Sequence, residues 1–236
     1  MYRFQTPIKL SESIHHRLNM YALAATAAGV GMLSMASPAE AKVVYTHAHV
    51  VIPKDTNIAR YIDLNHDGIQ DFELRHGFEQ SSRFALSSLI VFGAKDASNL
   101  VMGGRERSSP FYSAFALKEG AKIGPGAGFS RNHSNMAFAT SPGSTIVWGY
   151  WAENKKGVKN RYLGLKFVIH GKIHYGWARL STTIQQQGQG YSVAATLTGY
   201  AYETVPNKPI IAGHTKGRDE AAPEAGTLGA LARGAR

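Results

Sequence analysis

Tyr162-Leu163-Gly164-Leu165-Lys166-Phe167-Val168-Ile169-His170-Gly171-Lys172-Ile173-His174-Tyr175-Gly176-Trp177-Ala178-Arg179-Leu180 is the stretch that decides the fold. Two runs rich in β-branched and aromatic residues flank a glycine, the pattern of a β-hairpin. With Gly171-Lys172 as the loop, glycine takes the positive φ of a type II′ turn. His170 then faces Ile173, Val168 faces Tyr175 and Lys166 faces Trp177. Side chains alternate across a strand, so Leu163, Leu165, Phe167 and Ile169 lie with His174, Gly176, Ala178 and Leu180 on the more uniformly apolar face. That face is the expected core. The other, with Tyr175, Trp177 and Arg179, is amphipathic and fits either a second packed layer or an open surface with exposed rings.

Outward from the hairpin the same texture repeats. Val43–Ile52, Ala59–Leu64, Asp71–Leu74, Phe84–Phe92, Phe111–Leu117, Thr145–Trp151 and Tyr191–Glu203 read as strands punctuated by Gly, Pro, Asn and Ser clusters, while Gly120–Gly143 reads as a long irregular connection with at most one short strand. No alternation of strands with helical runs occurs, which argues against a parallel-sheet enzyme fold. The expectation is an all-β chain, an antiparallel β-sandwich or jelly roll forming one domain over 42–212.

The ends differ from this body. Residues 1–41 combine Arg3, Lys9 and Arg17, an apolar run from Met20 to Ala36, and Ala39-Glu40-Ala41, which is the plan of a signal peptide cleaved before Lys42. The run is shorter than the roughly 20 residues a spanning helix needs, so no stable membrane anchor is expected after cleavage. Residues 213–236 contain no aromatic side chain and cannot bury enough surface to order themselves, so a disordered tail is expected. These ends place the chain outside the cytoplasm, secreted or in the cell envelope. The chain has no cysteine, so its stability must come from a core, from bound metal, or from both.

A formal net charge of +10 would favour polyanions if it were concentrated. The densest cations, Lys155, Lys156, Lys159 and Arg161, share a stretch with Asn154 and Gly157 that reads as a solvated turn, and a nucleic-acid partner is not expected.

One motif carries a physical mechanism. In Asp63-Leu64-Asn65-His66-Asp67-Gly68-Ile69-Gln70-Asp71, oxygen donors fall at positions 1, 3, 5 and 9, glycine at 6 allows the sharp turn, and the Ile69 carbonyl is available at 7. The expected ion is calcium, with Asp63, Asn65, Asp67, Ile69 and Asp71 as ligands. Leu74 stands where a helical calcium loop carries its bidentate glutamate, so water or Glu73 must complete the shell. Asp, Asn and Gly also favour turns on their own account, which gives a metal-free hairpin as the alternative. Three carboxylates in one loop repel each other without a cation.

Other constellations are weaker. His47 and His49 share a strand face, and His170 and His174 flank the hairpin, but neither pair reaches the three ligands of a zinc site. No Gly-x-Ser-x-Gly elbow or phosphate loop is present, and no acidic pair stands out as a catalytic couple. Trp148, Tyr150, Trp151, Tyr175 and Trp177 could form a platform on which sugar rings stack, although core packing explains them as well.

Three resemblances accompany these readings. The Asp-x-Asn-x-Asp-Gly loop resembles the calcium loops of FG-GAP and thrombospondin type 3 modules. Tyr175–Leu180, Gly199–Glu203 and Pro206–Gly213 together resemble the C-terminal part of a group of exported bacterial proteins without an assigned activity. Pro223-Glu224-Ala225 and the apolar residues up to Ala232 resemble the start of a PEP-CTERM sorting tail, with Ala225 in place of the second proline and Arg233 ending the apolar segment early. The resemblances imply an envelope setting beside exopolysaccharide. The function expected is a non-catalytic structural or surface/matrix protein with a calcium-stabilised β fold; the alternative is a lectin-like module binding extracellular polysaccharide.

Overall fold

The computed structural model describes residues 42–81, 84–93, 98–105, 112–130, 133–141, 146–187 and 190–216; the expected leader over 1–41 and the tail from 217 onward lie outside them. The described chain is all-β. Its strands are β1 (Val43–Ile52), β2 (Ile58–Ile62), β3 (Phe72–Gln80), β4 (Ala85–Gly93), β5 (Leu100–Arg105), β6 (Tyr112–Ala114), β7 (Lys122–Ile123), β8 (Phe129–Ser130), β9 (His133–Ser141), β10 (Ile146–Trp148), β11 (Arg161–Ile169), β12 (Lys172–Gln187), β13 (Gly190–Glu203) and β14 (Ile210–Ile211), with one short 3-10 segment at Tyr150–Lys155. Among the described residues no helix is long and apolar enough to cross a membrane.

Twelve strands form one sheet in the order β1-β13-β12-β11-β5-β6-β9-β4-β3-β2, with β8 added beside β5 and β10 beside β9, while β7 and β14 form a separate pair. Every pairing is antiparallel except the single contact of β6 with β9. The sheet folds over on itself, so that β13 packs across β4 and β9 and one core collects Ile52, Leu74, Leu89, Met136, Leu163, Phe167 and Leu197 from both halves. The expected sandwich is thus made from one nearly closed sheet.

The deciding hairpin is present with its turn one residue earlier. His170 and Gly171 form the loop, with φ of 47° and 75°, which suits a type I′ turn. Ile169 pairs with Lys172 and Leu165 with Gly176, two places away from the expected register. A two-place shift keeps every side chain on its face. Leu163, Leu165, Phe167, Ala178 and Leu180 therefore line the main core as expected.

The amphipathic face is a second packed layer. Tyr162, Tyr175, Trp177 and Ala201 are buried beneath Ile123, Ile210 and Ala212, contributed by β7, β14 and the turn after β14. Part of the supposed irregular stretch Gly120–Gly143 is this cover. The same stretch also holds β9, a nine-residue strand near the middle of the sheet, and β5 was likewise not apparent in the sequence. In β5 the obstacle is glycine. A Cβ on Gly103 would lie 2.4 Å from the Ser113 carbonyl oxygen, so the close approach of β6 requires glycine inside a strand.

A bulge connects the two layers. Arg179 pairs with Gly199 but Leu180 pairs with Leu197, which leaves Thr198 as an extra residue in β13. Val193, Ala195 and Leu197 face the main core before it; beyond it Tyr200 and Tyr202 face that core and Ala201 turns to the second layer. Arg179 holds the bulge, donating from Nε to Thr198 Oγ1 at 2.9 Å, while the Thr198 hydroxyl donates to the Arg179 carbonyl.

The halves of the sheet are also joined by a buried polar link. The Val193 amide donates to Ser87 Oγ (3.0 Å), so the Ser87 hydroxyl proton is directed to His76 Nε2 (3.2 Å) and the His76 Nδ1–H donates to the Thr56 carbonyl (2.5 Å). Ser87 and His76 are almost wholly buried. Ser87→Ala would strand the Val193 amide and the imidazole Nε2, and should cost about 1–3 kcal/mol in urea denaturation at neutral pH; a change within error would show that the link adds nothing to closure.

Candidate functional site

The acidic loop joins β2 to β3, and its conformation follows from its residues. His66 and Gly68 adopt φ of 59° and 85°. No atom lies within 4 Å of a Cβ built on Gly68, so glycine is favoured there by conformation and not by space. Asp63 Oδ2 accepts from the Gly68 amide (2.9 Å), Asp67 Oδ1 from the Ile69 amide (2.8 Å) and Asp71 Oδ2 from the Leu64 amide (2.7 Å). The Asp71 amide in turn donates to the Ile62 carbonyl (2.9 Å), closing the base of the loop. Asn99 Nδ2 donates to the Asp71 carbonyl from outside it (3.0 Å).

All five expected ligands thus belong to one folded turn, in different states. Asp67 is exposed and its Oδ2 accepts from Asn65 Nδ2 at 2.8 Å. Asp63 and Asn65 are partly buried, and one oxygen of each, Oδ1 in both cases, is buried without a hydrogen-bond partner. Asp71 is buried. Ile69 exposes its side chain, leaving its backbone as its contribution. Among the described residues no three His, Cys, Asp or Glu side chains form a metal-holding group, the three aspartates of this turn included. Glu73, the spare donor suggested by sequence, is engaged elsewhere: its Oε1 meets Arg75 Nε at 2.6 Å, and the Arg75 guanidinium lies 4.5 Å over the Phe92 ring.

The electrostatics follow the same geometry. Burial first, and then the charges of Asp63 and Asp67, push the Asp71 carboxyl up to about 6, against a pull downward from its bond with the Leu64 amide. The Asn65 amide and the Ile69 N–H hold Asp67 below the usual carboxylate range. Tyr200 and Tyr202, turned this way by the bulge, are raised by burial and then by Asp63 for the former and by Asp67 and Asp71 for the latter. His66 lies beside the Tyr200 ring, centroids 5.9 Å apart, and its Nε2 is 2.7 Å from Thr46 Oγ1 on β1.

The histidine pairs do not assemble. His47 and His49 are exposed on β1, His170 occupies the hairpin turn, and His174 is buried with Nδ1 donating to the Glu203 carbonyl. The aromatic set divides too. Trp151, Trp177 and Tyr175 are buried, Trp151 with its indole N–H on the Ala114 carbonyl (3.1 Å). The expected strand through Trp151 ends at Trp148, because Gly149 takes φ of 105° and opens the 3-10 segment. Trp148, stacked on Phe138, and Tyr150 stay nearer the surface and line a cleft of about 470 Å³ that sequence reasoning did not find. Its lining comes from widely separated segments, which no local signal reveals. No protein-family model, curated protein or solved structure matches this chain.

The raised Asp71 carboxyl has a consequence for stability. Its folded value of about 6 exceeds its ordinary 3.8, so the metal-free fold keeps a proton that the unfolded chain has released. That contribution is fully present below about pH 4 and is lost as the pH rises through 6, amounting to at most about 3 kcal/mol. In chelator, wild type should therefore lose stability relative to Asp71→Asn between pH 5 and pH 7.5. Parallel melting profiles for the two proteins would contradict the assignment.

Proposed function

We propose that this chain is an exported, non-catalytic structural protein of a bacterial surface or matrix, whose β fold is completed by calcium in the Asp63–Asp71 turn. The observation that carries the metal reading is the pair of buried, unpartnered oxygens, Asp63 Oδ1 and Asn65 Oδ1, in a turn that also holds Asp67 and Asp71. A buried acceptor without a donor is costly, and a hard cation satisfies such oxygens while relieving the repulsion that adds to burial in raising Asp71. Asp63, Asn65, Asp67 and Asp71 would donate side-chain oxygens and Ile69 its carbonyl. Water would fill the rest of a shell of six to eight, since Glu73 is held by Arg75.

A site short of one bidentate carboxylate fits a dissociation constant in the extracellular range, about 10⁻⁴ to 10⁻³ M. Such an affinity suits a fold that works in a calcium-rich exterior. Binding to the folded state alone adds about 2.7 kcal/mol at a hundredfold excess of ion over its dissociation constant. The loop lies between β2 and β3, at one end of the sheet, and contacts β1 through His66 and Thr46. Calcium there would stabilise the region where the sheet nearly closes. Export rests on the Ala39-x-Ala41 cleavage pattern, and the envelope setting on the resemblances at the C-terminal end.

Calorimetric melting should show calcium raising the transition of wild type, more at pH 7.5 than at pH 5 because calcium and the proton compete at Asp71. Asp67→Ala should abolish the increment while still folding in chelator. An unchanged transition on adding millimolar calcium would overturn the metal reading. Intact mass of the protein from the producing cells should begin at Lys42; retention of residues 1–41 on soluble protein would remove the argument for export.

A further inference from the structure

We infer that the cleft between β10, the 3-10 segment and the approach to β7 is a binding site for a carboxylated saccharide, an acidic sugar of one or two rings within a longer chain. Its volume of about 470 Å³ falls in the range of small-molecule sites, about 300–1,000 Å³. Its lining combines two aromatic rings, Trp148 and Tyr150, with three cations, Lys118, Lys155 and Arg161. Among the described residues Glu153 is the only carboxylate in the lining, and Arg161 Nη2 lies 3.7 Å from its Oε2. The balance is positive, so the occupant is an anion. The rings favour a sugar acid over a simple inorganic anion, because a pyranose offers an apolar C–H face to stack on an aromatic side chain while its hydroxyl groups meet polar groups such as Asn154. Arg161 is partly buried and presents the planar donor fork that matches a carboxylate.

The cleft is held in shape before any ligand arrives. At one end a Cβ on Gly149 would fall 2.2 Å from the Met136 carbonyl oxygen, so the chain is pressed against β9 as it leaves Trp148. At the other, a Cβ on Gly157 would fall 2.3 Å from the Thr182 carbonyl oxygen. Between them Thr182 Oγ1 donates to the Trp151 carbonyl and accepts from the Val158 amide, which pins the segment to β12. Asn154 and Lys155, both non-glycine, adopt φ of 52° and 57° at the rim. Left-handed geometry at two consecutive residues is unfavourable and is retained here by the anchors on either side. Lys155 is exposed and its ammonium lies 5.9 Å from the Tyr191 ring, a weak cation–π contact beside the cleft. This arrangement is what preorganised binding requires. The cations that read as a solvated turn in the sequence are sorted by the fold: Lys155 and Arg161 join Lys118 in the lining, and Lys156 and Lys159 stay outside it.

The inference does not depend on the calcium reading. Trigalacturonate, titrated into the full chain in chelator by calorimetry, should bind saturably at one site. Neutral maltotriose should bind at least about tenfold more weakly, as should trigalacturonate to the Lys118→Glu/Lys155→Glu double variant. Both lysines are exposed, so this variant should fold, and its unchanged melting transition would show that it does. Trp148→Ala should lose affinity comparably, with the ligand-induced change in tryptophan emission lost. No saturable binding, binding unaffected by the double variant, or equal binding of a short oligothymidylate would overturn the proposal, the last by reducing the cleft to a general polyanion contact.

Discussion

Where β7 and β14 cover it, the ribbon of β11, β12 and β13 is buried on both faces, and the extra residue Thr198 sets which β13 side chains each layer receives. A strand of strict alternation would commit one set of its side chains to one layer along its whole length. With the bulge, β13 gives Val193, Ala195 and Leu197 to the main core and Ala201 to the second layer. The same switch turns Tyr200 and Tyr202 towards the β2–β3 turn. Arg179, held between Thr198 and the chain around it, fixes where the switch occurs. The chain has no cysteine, so no disulfide adds to this packing.

The acidic turn is therefore part of the fold's closure as well as a candidate ion site. Its carboxylates organise the backbone first: each accepts a main-chain N–H within the turn. What remains after that is a surplus of oxygen, on Asp63 and Asn65, and a buried Asp71 whose charge is resisted by its neighbours. The tyrosines set beside it deepen the burial and share its field. A proton and a cation are two ways of relieving the same crowding, and they give the turn opposite pH dependences.

Much of this was legible in the sequence because it is local. The span of β1, the hairpin and its inward face, and the acidic turn as one unit all follow from neighbours in the chain. The hairpin loop lies one residue earlier, and the register two places away, because His170 tolerates the left-handed conformation that glycine was assumed to need alone. What the sequence concealed depends on contacts between distant segments. β5 and β9 are rich in small and polar residues that read as connection, yet Gly103 is needed where β6 crosses it and Ser134 is buried in β9. The burial of Trp177 depends on a cover supplied by β7 and β14, about 50 residues before it and 30 after it in the chain. The cleft draws Lys118, Trp148 and Arg161 together only once Gly149 and Gly157 are docked.

Terbium luminescence tests the central claim most directly, because Tb³⁺ substitutes for calcium at oxygen sites and is excited by energy transfer from nearby tyrosine. With Tyr200 and Tyr202 beside the turn, the account predicts saturable green emission on tyrosine excitation. Millimolar calcium should displace it and Asp67→Ala should remove it. Absence of sensitised emission, or emission that persists in that variant and resists calcium, would contradict the account and leave the turn as a hairpin held by its own hydrogen bonds.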